Sequence, residues 1–170
     1  LKLATEKFQE SSTPSLDARL LLAFALDYSQ EKLLINYDQE LELGIEQAFF
    51  KLIARRESRE PIAYILGKQE FYGLDFQINE HVLIPRPDTE LIIDCIKADY
   101  NSNHSNRSID ILELGVGSGA ISVCLAKEII LAELVAVDIS DEALKVARAN
   151  ILHHKVQEQV HVVKSDWYLN

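Results

Sequence analysis

Asp110-Ile-Leu-Glu-Leu-Gly-Val-Gly-Ser-Gly-Ala-Ile121 is the stretch from which the rest of the chain can be read. Apolar residues dominate Ile109 to Leu114, as in a strand buried within a parallel sheet. Gly115, Gly117 and Gly119 then alternate, so side chains are missing where a ligand would approach the backbone. Ile121, Leu125 and Ile129 recur at helical spacing, with Val123 and Cys124 between them. Strand, glycine turn and helix therefore follow one another, and the unpaired N–H groups of a helix start make a binding nook there. A tight turn with no ligand is the plain alternative, since glycine runs are weak evidence alone.

A second acid strengthens the ligand reading. Leu134-Val-Ala-Val-Asp138 reads as the next strand, with Asp138 at its carboxyl end. Asp138 follows the glycines at close to the ~20-residue spacing at which a carboxylate grips ribose hydroxyls. Val160-His-Val-Val163 reads as a third strand, followed by Ser165-Asp-Trp167. An acid and an aromatic just past a strand end lie where ligands sit in such sheets. Asp166 there would accept from an adenine amino group, with Trp167 beside the base; a strand-end turn is the bland alternative. Ser140 is placed to cap a helix whose apolar face is Ala143, Leu144, Ala147 and Ile151, with Asp141 and Glu142 in its first turn.

Upstream, the chain reads as helical. Leu1 to Phe8 suits a short helix, and Ser11-Ser-Thr-Pro14 is a helix-start signal. Leu16, Leu20, Leu21, Ala23 and Phe24 form an expected apolar face, Gln30 to Ile35 a short helix, and Ile45, Phe49, Leu52 and Ile53 another. Glu70-Phe-Tyr-Gly-Leu-Asp-Phe76 looks like two strands around a tight turn. Two prolines then force Ile84-Pro-Arg-Pro87 to be extended, ahead of a helix from Glu90 that Asp88 or Thr89 would cap. Arg86, held between prolines, is a candidate functional residue. Asn101 to Arg107 reads as a surface loop. The expected organisation is α/β: a helical bundle over 1–65, a hairpin linker over 66–85, and over 86–170 the first half of a Rossmann-like sheet.

Of the 170 residues, 48% are hydrophobic, enough to bury a core, and 17 Lys+Arg against 27 Asp+Glu give a net charge of −10. That balance disfavours a broad electrostatic grip on nucleic acid. Cys95 and Cys124 both fall in apolar helical patterns and suggest buried thiols in a reducing, cytoplasmic setting. No apolar run approaches the ~18 residues of a membrane span, and no membrane partner is expected. The five His show no ligand spacing, His153 and His154 reading as solvent-facing at a helix end, so no metal is assigned. With no Met, even at position 1, and an end at Asn170 just past the third strand, the sequence reads as part of a longer chain.

Three signals in order, Glu113-Leu-Gly-Val-Gly-Ser-Gly119, then Asp138, then Ser165-Asp-Trp167, resemble the class I S-adenosylmethionine-dependent methyltransferases. Glu60-Pro-Ile-Ala-Tyr-Ile-Leu-Gly67, Glu70-Phe-Tyr-Gly-Leu-Asp-Phe76 and Val82-Leu-Ile-Pro-Arg-Pro-Asp-Thr-Glu90 are similar to the signature of the release-factor glutamine methyltransferases. These enzymes methylate the amide nitrogen of the Gln in the Gly-Gly-Gln motif of peptide-chain release factors. The resemblance covers nearly the whole chain. It implies S-adenosylmethionine as cofactor and release factors as protein substrate, docked in part by the helical module. It implies that Gly115, Val116, Gly117, Ser118 and Gly119 approach the methionine part, that Glu113 braces the turn, and that Asp138 holds the ribose. It places Asp166 and Trp167 at the adenine, and Arg86, Thr89 and Glu90 at the cleft border.

Two departures stand out. Val116 replaces the usual Thr, removing a hydroxyl but leaving the backbone donors. The Asn-Pro-Pro-Tyr motif that holds the substrate amide in the family is absent from these residues, its expected place being beyond Asn170. No catalytic residue is named, and this stretch by itself is expected to be inactive. Other readings stay open. A nicotinamide-dependent oxidoreductase would use Gly115, Gly117, Ala120 and Asp138 for NAD. A helical interaction module with a vestigial nucleotide fold would bind partners without cofactor. A methyltransferase for another protein, a nucleic-acid amine or a small molecule is the nearer alternative.

Overall fold

The computed structural model describes residues 1–8, 10–36 and 38–169. The chain forms two compact units, Leu1–Leu66 and Gly67–Asn170.

The first unit is helical: α1 (Lys2–Lys7), α2 (Pro14–Leu26), α3 (Gln30–Ile35), α4 (Leu43–Glu57) and α5 (Ile62–Leu66). Its core gathers Ala4, Phe8, Ala18, Leu21, Leu22, Leu33, Phe49, Ile53 and Ile65. Proline in the first turn starts α2 as expected, but no side chain caps its backbone. The Ser11 and Thr13 hydroxyls donate instead to the Asp17 carboxylate, at 2.7 and 3.1 Å. Arg56 of α4 reaches the same carboxylate at 2.8 Å through Nε and through its terminal nitrogen. This buried acid corrects the expected face of α2. Asp17 must point inward to meet Arg56, which brings Ala18, Leu21 and Leu22 inward with it. Leu16 and Phe24 are left exposed. The short α5 after Pro61 has no counterpart in the sequence reading.

The second unit begins with an antiparallel hairpin, β1 (Lys68–Phe71) and β2 (Leu74–Gln77). Tyr72 and Gly73 both have positive φ, 53° and 73°, the primed-turn geometry that matches strand twist in two-residue hairpins. Phe71 and Phe76 are buried, edge to face, with ring centroids 6.3 Å apart. A 3-10 turn, Pro87–Thr89, leads into α6 (Glu90–Asp99). No Asp88 or Thr89 side chain caps that helix; the tighter turn supplies its entry. The expected loop after it is partly helical, with a π-type turn over Tyr100–His104. Cys95 is exposed on α6, against expectation, whereas Cys124 is buried.

Then follow β3 (Ile109–Leu114), α7 (Ala120–Glu128), β4 (Ala132–Asp138), α8 (Asp141–His153) and β5 (Val160–Lys164). The strands are parallel in the order β3-β4-β5. Successive right-handed crossovers in one direction set α7 and α8 on the same face of the sheet. Ala132, Leu134 and Ala136 of the central strand are buried, as are Val123, Leu125, Leu144, Ala147 and Ile151. Leu112, Val135 and Val163 are exposed, at 50%, 41% and 41%. Ser140 caps α8 as the sequence suggests, its hydroxyl accepting from the Ala143 N–H at 3.2 Å. His154 departs from expectation: its ring lies 4.9 Å from that of Phe76, and its Nε2 meets the Asp75 carbonyl at 2.9 Å. The architecture is a helical N-terminal region followed by a hairpin and a three-stranded parallel α/β sheet.

Asp17→Asn tests the buried pair of the helical unit. Removing the charge from Asp17 leaves Arg56 facing a poorer acceptor, and breaking such pairs costs about 2–4 kcal/mol. Urea unfolding followed by far-ultraviolet dichroism should show that loss. A loss within about 0.5 kcal/mol, the range of a surface substitution, would show that the pair does not hold α2 to α4.

Candidate functional site

The carboxyl ends of three parallel strands bring together Leu114, Asp138 and Lys164, and with them the glycine turn and the 165–167 segment. The turn is tied to the central strand. The Gly115 and Val116 N–H groups both donate to the Val137 carbonyl, at 2.8 and 2.9 Å. One oxygen of Asp138 accepts the Gly117 N–H at 3.0 Å, and the other accepts the Ser140 N–H at 3.0 Å. The Gly119 N–H closes on the Val116 carbonyl at 2.8 Å. Gly119 sits at φ +81°, and a Cβ there would lie 3.4 Å from the Ala147 backbone. Only glycine serves that position without strain.

These bonds correct one expectation. The N–H groups of Gly115, Val116, Gly117 and Gly119 are engaged inside the protein rather than left for a ligand. Within the turn and the start of α7, the described N–H groups without a hydrogen-bond partner are those of Ser118, Ala120 and Ile121. Ser122, one residue further on, donates through both its N–H and its hydroxyl to Glu113. Glu113 thus braces the start of α7 rather than the glycines themselves.

Glu113 is half-buried, and its carboxyl is pushed up to about 7. Burial is the main cause; the two Ser122 bonds oppose it, and the nearby Asp138 carboxylate adds to it.

Two depressions adjoin at Gly115. One, of about 150 Å³, is lined by Leu114, Gly115, Val137, Asp138, Ile139, Ser165, Asp166 and Trp167. The other, of about 120 Å³, is lined by Glu113, the glycine turn, Ala120 and Ile121 on one side, and by Phe71, Leu83, Ile84, Pro85, Arg86 and Thr89 on the other. Of the residues singled out in the sequence, Asp138, Asp166 and Trp167 meet in the first. Glu113, Val116, Gly117, Ser118, Arg86 and Thr89 meet in the second, and Gly115 belongs to both. Glu90 lines neither; its carboxylate accepts the Tyr72 N–H of the hairpin turn at 2.9 Å. Gly119 lies behind the turn, against α8.

The 165–167 segment is held by the Ser165 N–H to the Asp138 carbonyl at 3.1 Å and by the Ser165 hydroxyl to the Trp167 carbonyl at 2.9 Å. Trp167 adopts φ +57° and stays 66% exposed. Phe71 and Ile139 were missed in the sequence. The exposed apolar Ile139, next to the acid, was a signal that could have been read.

A larger depression of about 570 Å³ lies in the helical unit, lined by Glu6, Lys7, Phe8, Glu10, Ser11, Arg56, Glu57 and Arg59. Four of its charges pair with one another, Lys7 with Glu57 and Arg59 with Glu10. Among the described residues, no helix is long and apolar enough to cross a membrane, and no group of three His, Cys, Asp or Glu could hold a metal ion.

Residues 1–67 match the family described as the PrmC N-terminal domain, and residues 87–170 match the methyltransferase small domain. A "Bifunctional methyltransferase" of Rickettsia conorii is 37% identical over 98% of this chain and 36% of its own length. A "Release factor glutamine methyltransferase" of Burkholderia pseudomallei is 38% identical over 97% of this chain and 58% of its own. One from Rhodopirellula baltica is 36% identical over 99% of this chain and 58% of its own. The chain therefore spans about a third to three-fifths of the curated relatives it matches. Among solved structures, the N-terminal domain of human METTL16 in complex with SAH aligns over 68% of this chain and 41% of that one, with TM-score 0.48 and 18% identity.

The raised Glu113 carboxyl gives a pH prediction. A folded value near 7 against an ordinary 4.5 means the folded chain holds a proton that the unfolded chain has released. The contribution of Glu113 is fully present below about 4.5 and is lost as pH rises through about 7. Glu113→Gln should therefore flatten the fall in thermal midpoint between pH 5 and pH 7.5. An unchanged pH slope in the variant would contradict the assignment.

Proposed function

We propose that this chain is a member of the release factor glutamine methyltransferases, which its relatives of 36% and 38% identity support, and that the protein moves a methyl group from S-adenosylmethionine to the side-chain amide nitrogen of a glutamine. The glutamine proposed is that of the Gly-Gly-Gln motif of peptide-chain release factors, with the Leu1–Leu66 unit helping to hold the release factor.

The observation that carries the reading is the pair of depressions meeting at Gly115, with Asp138 in one and Glu113 in the other. The residues present fit the cofactor. Each Asp138 oxygen accepts one backbone N–H and keeps a further lone pair for a ribose hydroxyl. A Cβ built on Gly115 or Gly117 would meet nothing within 4 Å, so there is open space beside the turn. In this reading Asp166 and Trp167 lie at the adenine. Arg86 and Thr89 border the amino-acid end, where a carboxylate would find the open N–H groups at the start of α7.

When bound, the cofactor supplies an electrophilic methyl group on a sulfonium. The acceptor amide nitrogen is a poor nucleophile because its lone pair is delocalised, so close and oriented approach does much of the work. The residues described here hold and orient the cofactor side of that encounter. Glu113 keeps the start of α7 in place, and Asp138 fixes the turn while facing the ribose. No residue of this chain is assigned to hold the substrate amide.

Calorimetric titration with S-adenosylhomocysteine, with NAD in parallel, tests the reading. Binding of the former alone is expected. Asp138→Ala removes a charged acceptor and should weaken binding by roughly tenfold or more. Heat from NAD alone would favour the oxidoreductase, and no binding by a folded sample would overturn the cofactor assignment. For the complete protein, methyl transfer to a release factor should vanish when the glutamine of its Gly-Gly-Gln motif is replaced.

A further inference from the structure

Asn150 of α8 is wholly buried, and it lines neither depression. Its side-chain amide donates to the Ser118 carbonyl at 2.8 Å and to the Gln77 carbonyl at 3.0 Å. Its side-chain oxygen accepts the Gln77 N–H at 2.8 Å. Leu144 and Ile151 on the same helix fill the core with apolar side chains, so burial alone does not call for a polar residue at 150. A carboxamide there is stable only because every bond is met.

The Ser118 carbonyl lies in the glycine turn, where neither a strand nor a helix provides a donor. Asn150 provides it. The other end of the same peptide group, the Gly119 N–H, is held by the Val116 carbonyl at 2.8 Å. The plane of the Ser118–Gly119 peptide is thereby fixed from both sides. That plane sets the left-handed φ of Gly119, from which the chain enters α7 at Ala120 and Ile121, two residues that line the second depression. Loss of the Asn150 bond would free the peptide to rotate.

We propose that Asn150 is a positioning residue for cofactor binding: it aligns the glycine turn through the Ser118 carbonyl and locks the turn to the end of β2 at Gln77. The proposal rests on the cofactor reading above, and it concerns a residue that never touches the cofactor.

Asn150→Asp is the direct test. It keeps an acceptor for the Gln77 N–H but sets a carboxylate oxygen against two carbonyls. Asn150→Leu, of similar size, removes all three bonds without adding charge, and serves if the first variant does not fold. Ile151→Ala, in the same helix, is the control for lost stability. Three quantities are read: S-adenosylhomocysteine affinity, thermal midpoint, and the Gly119 amide resonance of the ligand-free protein. Either Asn150 variant should weaken binding at least about tenfold and shift the Gly119 resonance. The control should lose thermal stability while its affinity stays within about twofold, the margin expected for a site that does not contact the turn. An affinity loss in the folded Asn150 variants no larger than the control's would overturn the proposal. If the unaltered protein bound no S-adenosylhomocysteine, the cofactor reading would fall instead. The Gly119 resonance would then decide whether Asn150 aligns the turn, an unmoved signal overturning it.

Discussion

Two adjacent N–H groups, those of Gly115 and Val116, share one acceptor, the Val137 carbonyl. The rest of the site depends on this shared bond. The pairing of β3 with β4 ends at Leu114 and Val137, and the shared carbonyl carries the connection one step beyond the ladder. The glycine turn is therefore suspended from the end of the central strand rather than from its own strand alone. The next residue, Asp138, continues the arrangement. Its side chain takes the Gly117 and Ser140 N–H groups, and its carbonyl takes the Ser165 N–H. Two consecutive residues of β4 thus set the glycine turn, the entry to α8 and the turn after β5.

The two acids of the site sit in different surroundings. Asp138 accepts backbone N–H groups on both oxygens at the carboxyl end of the central strand. Among the described residues Glu113 has only Ser122 as partner, and burial drives it toward the neutral form, with the Asp138 charge pushing the same way. Burial thus favours the neutral form of Glu113, behind the turn that Asp138 holds from the open side. A proton on Glu113 also turns its carboxyl into a donor, while Ser122 still anchors it to the first turn of α7.

What was legible in the sequence was local. β3, the alternating glycines, the acid ending β4 and the Ser140 cap each declare themselves within a few neighbouring residues, because strand periodicity, turn conformation and capping are short-range effects. What was not legible depends on distant partners. The rotation of α2 is set by Asp17 reaching Arg56, 39 positions away, and no periodicity within α2 reveals it. Asn150 and His154 look like ordinary polar residues at the end of a helix until the hairpin, more than 70 positions earlier, is folded against them. Cys95 failed for another reason. Leu91 and Ile92 are exposed on the same helix, so α6 carries more apolar residues than it buries, and counting them overstates its inner face.

Val116, where the sequence resemblance leads one to expect a threonine, shows how the turn can do without a hydroxyl. Its side chain is buried, 4% exposed, and its contribution to the turn is made by the main chain. The N–H goes to Val137, and the carbonyl receives Gly119. Neither bond depends on the side chain, so a hydroxyl can be exchanged for a methyl group without releasing the loop. Gly119 has no such freedom, since its left-handed φ strains any residue with a side chain. Asn150, from the opposite side, supplies a bond to Ser118 that no backbone group supplies. The shape of the turn is therefore enforced less by its own side chains than by the central strand in front of it and α8 behind it.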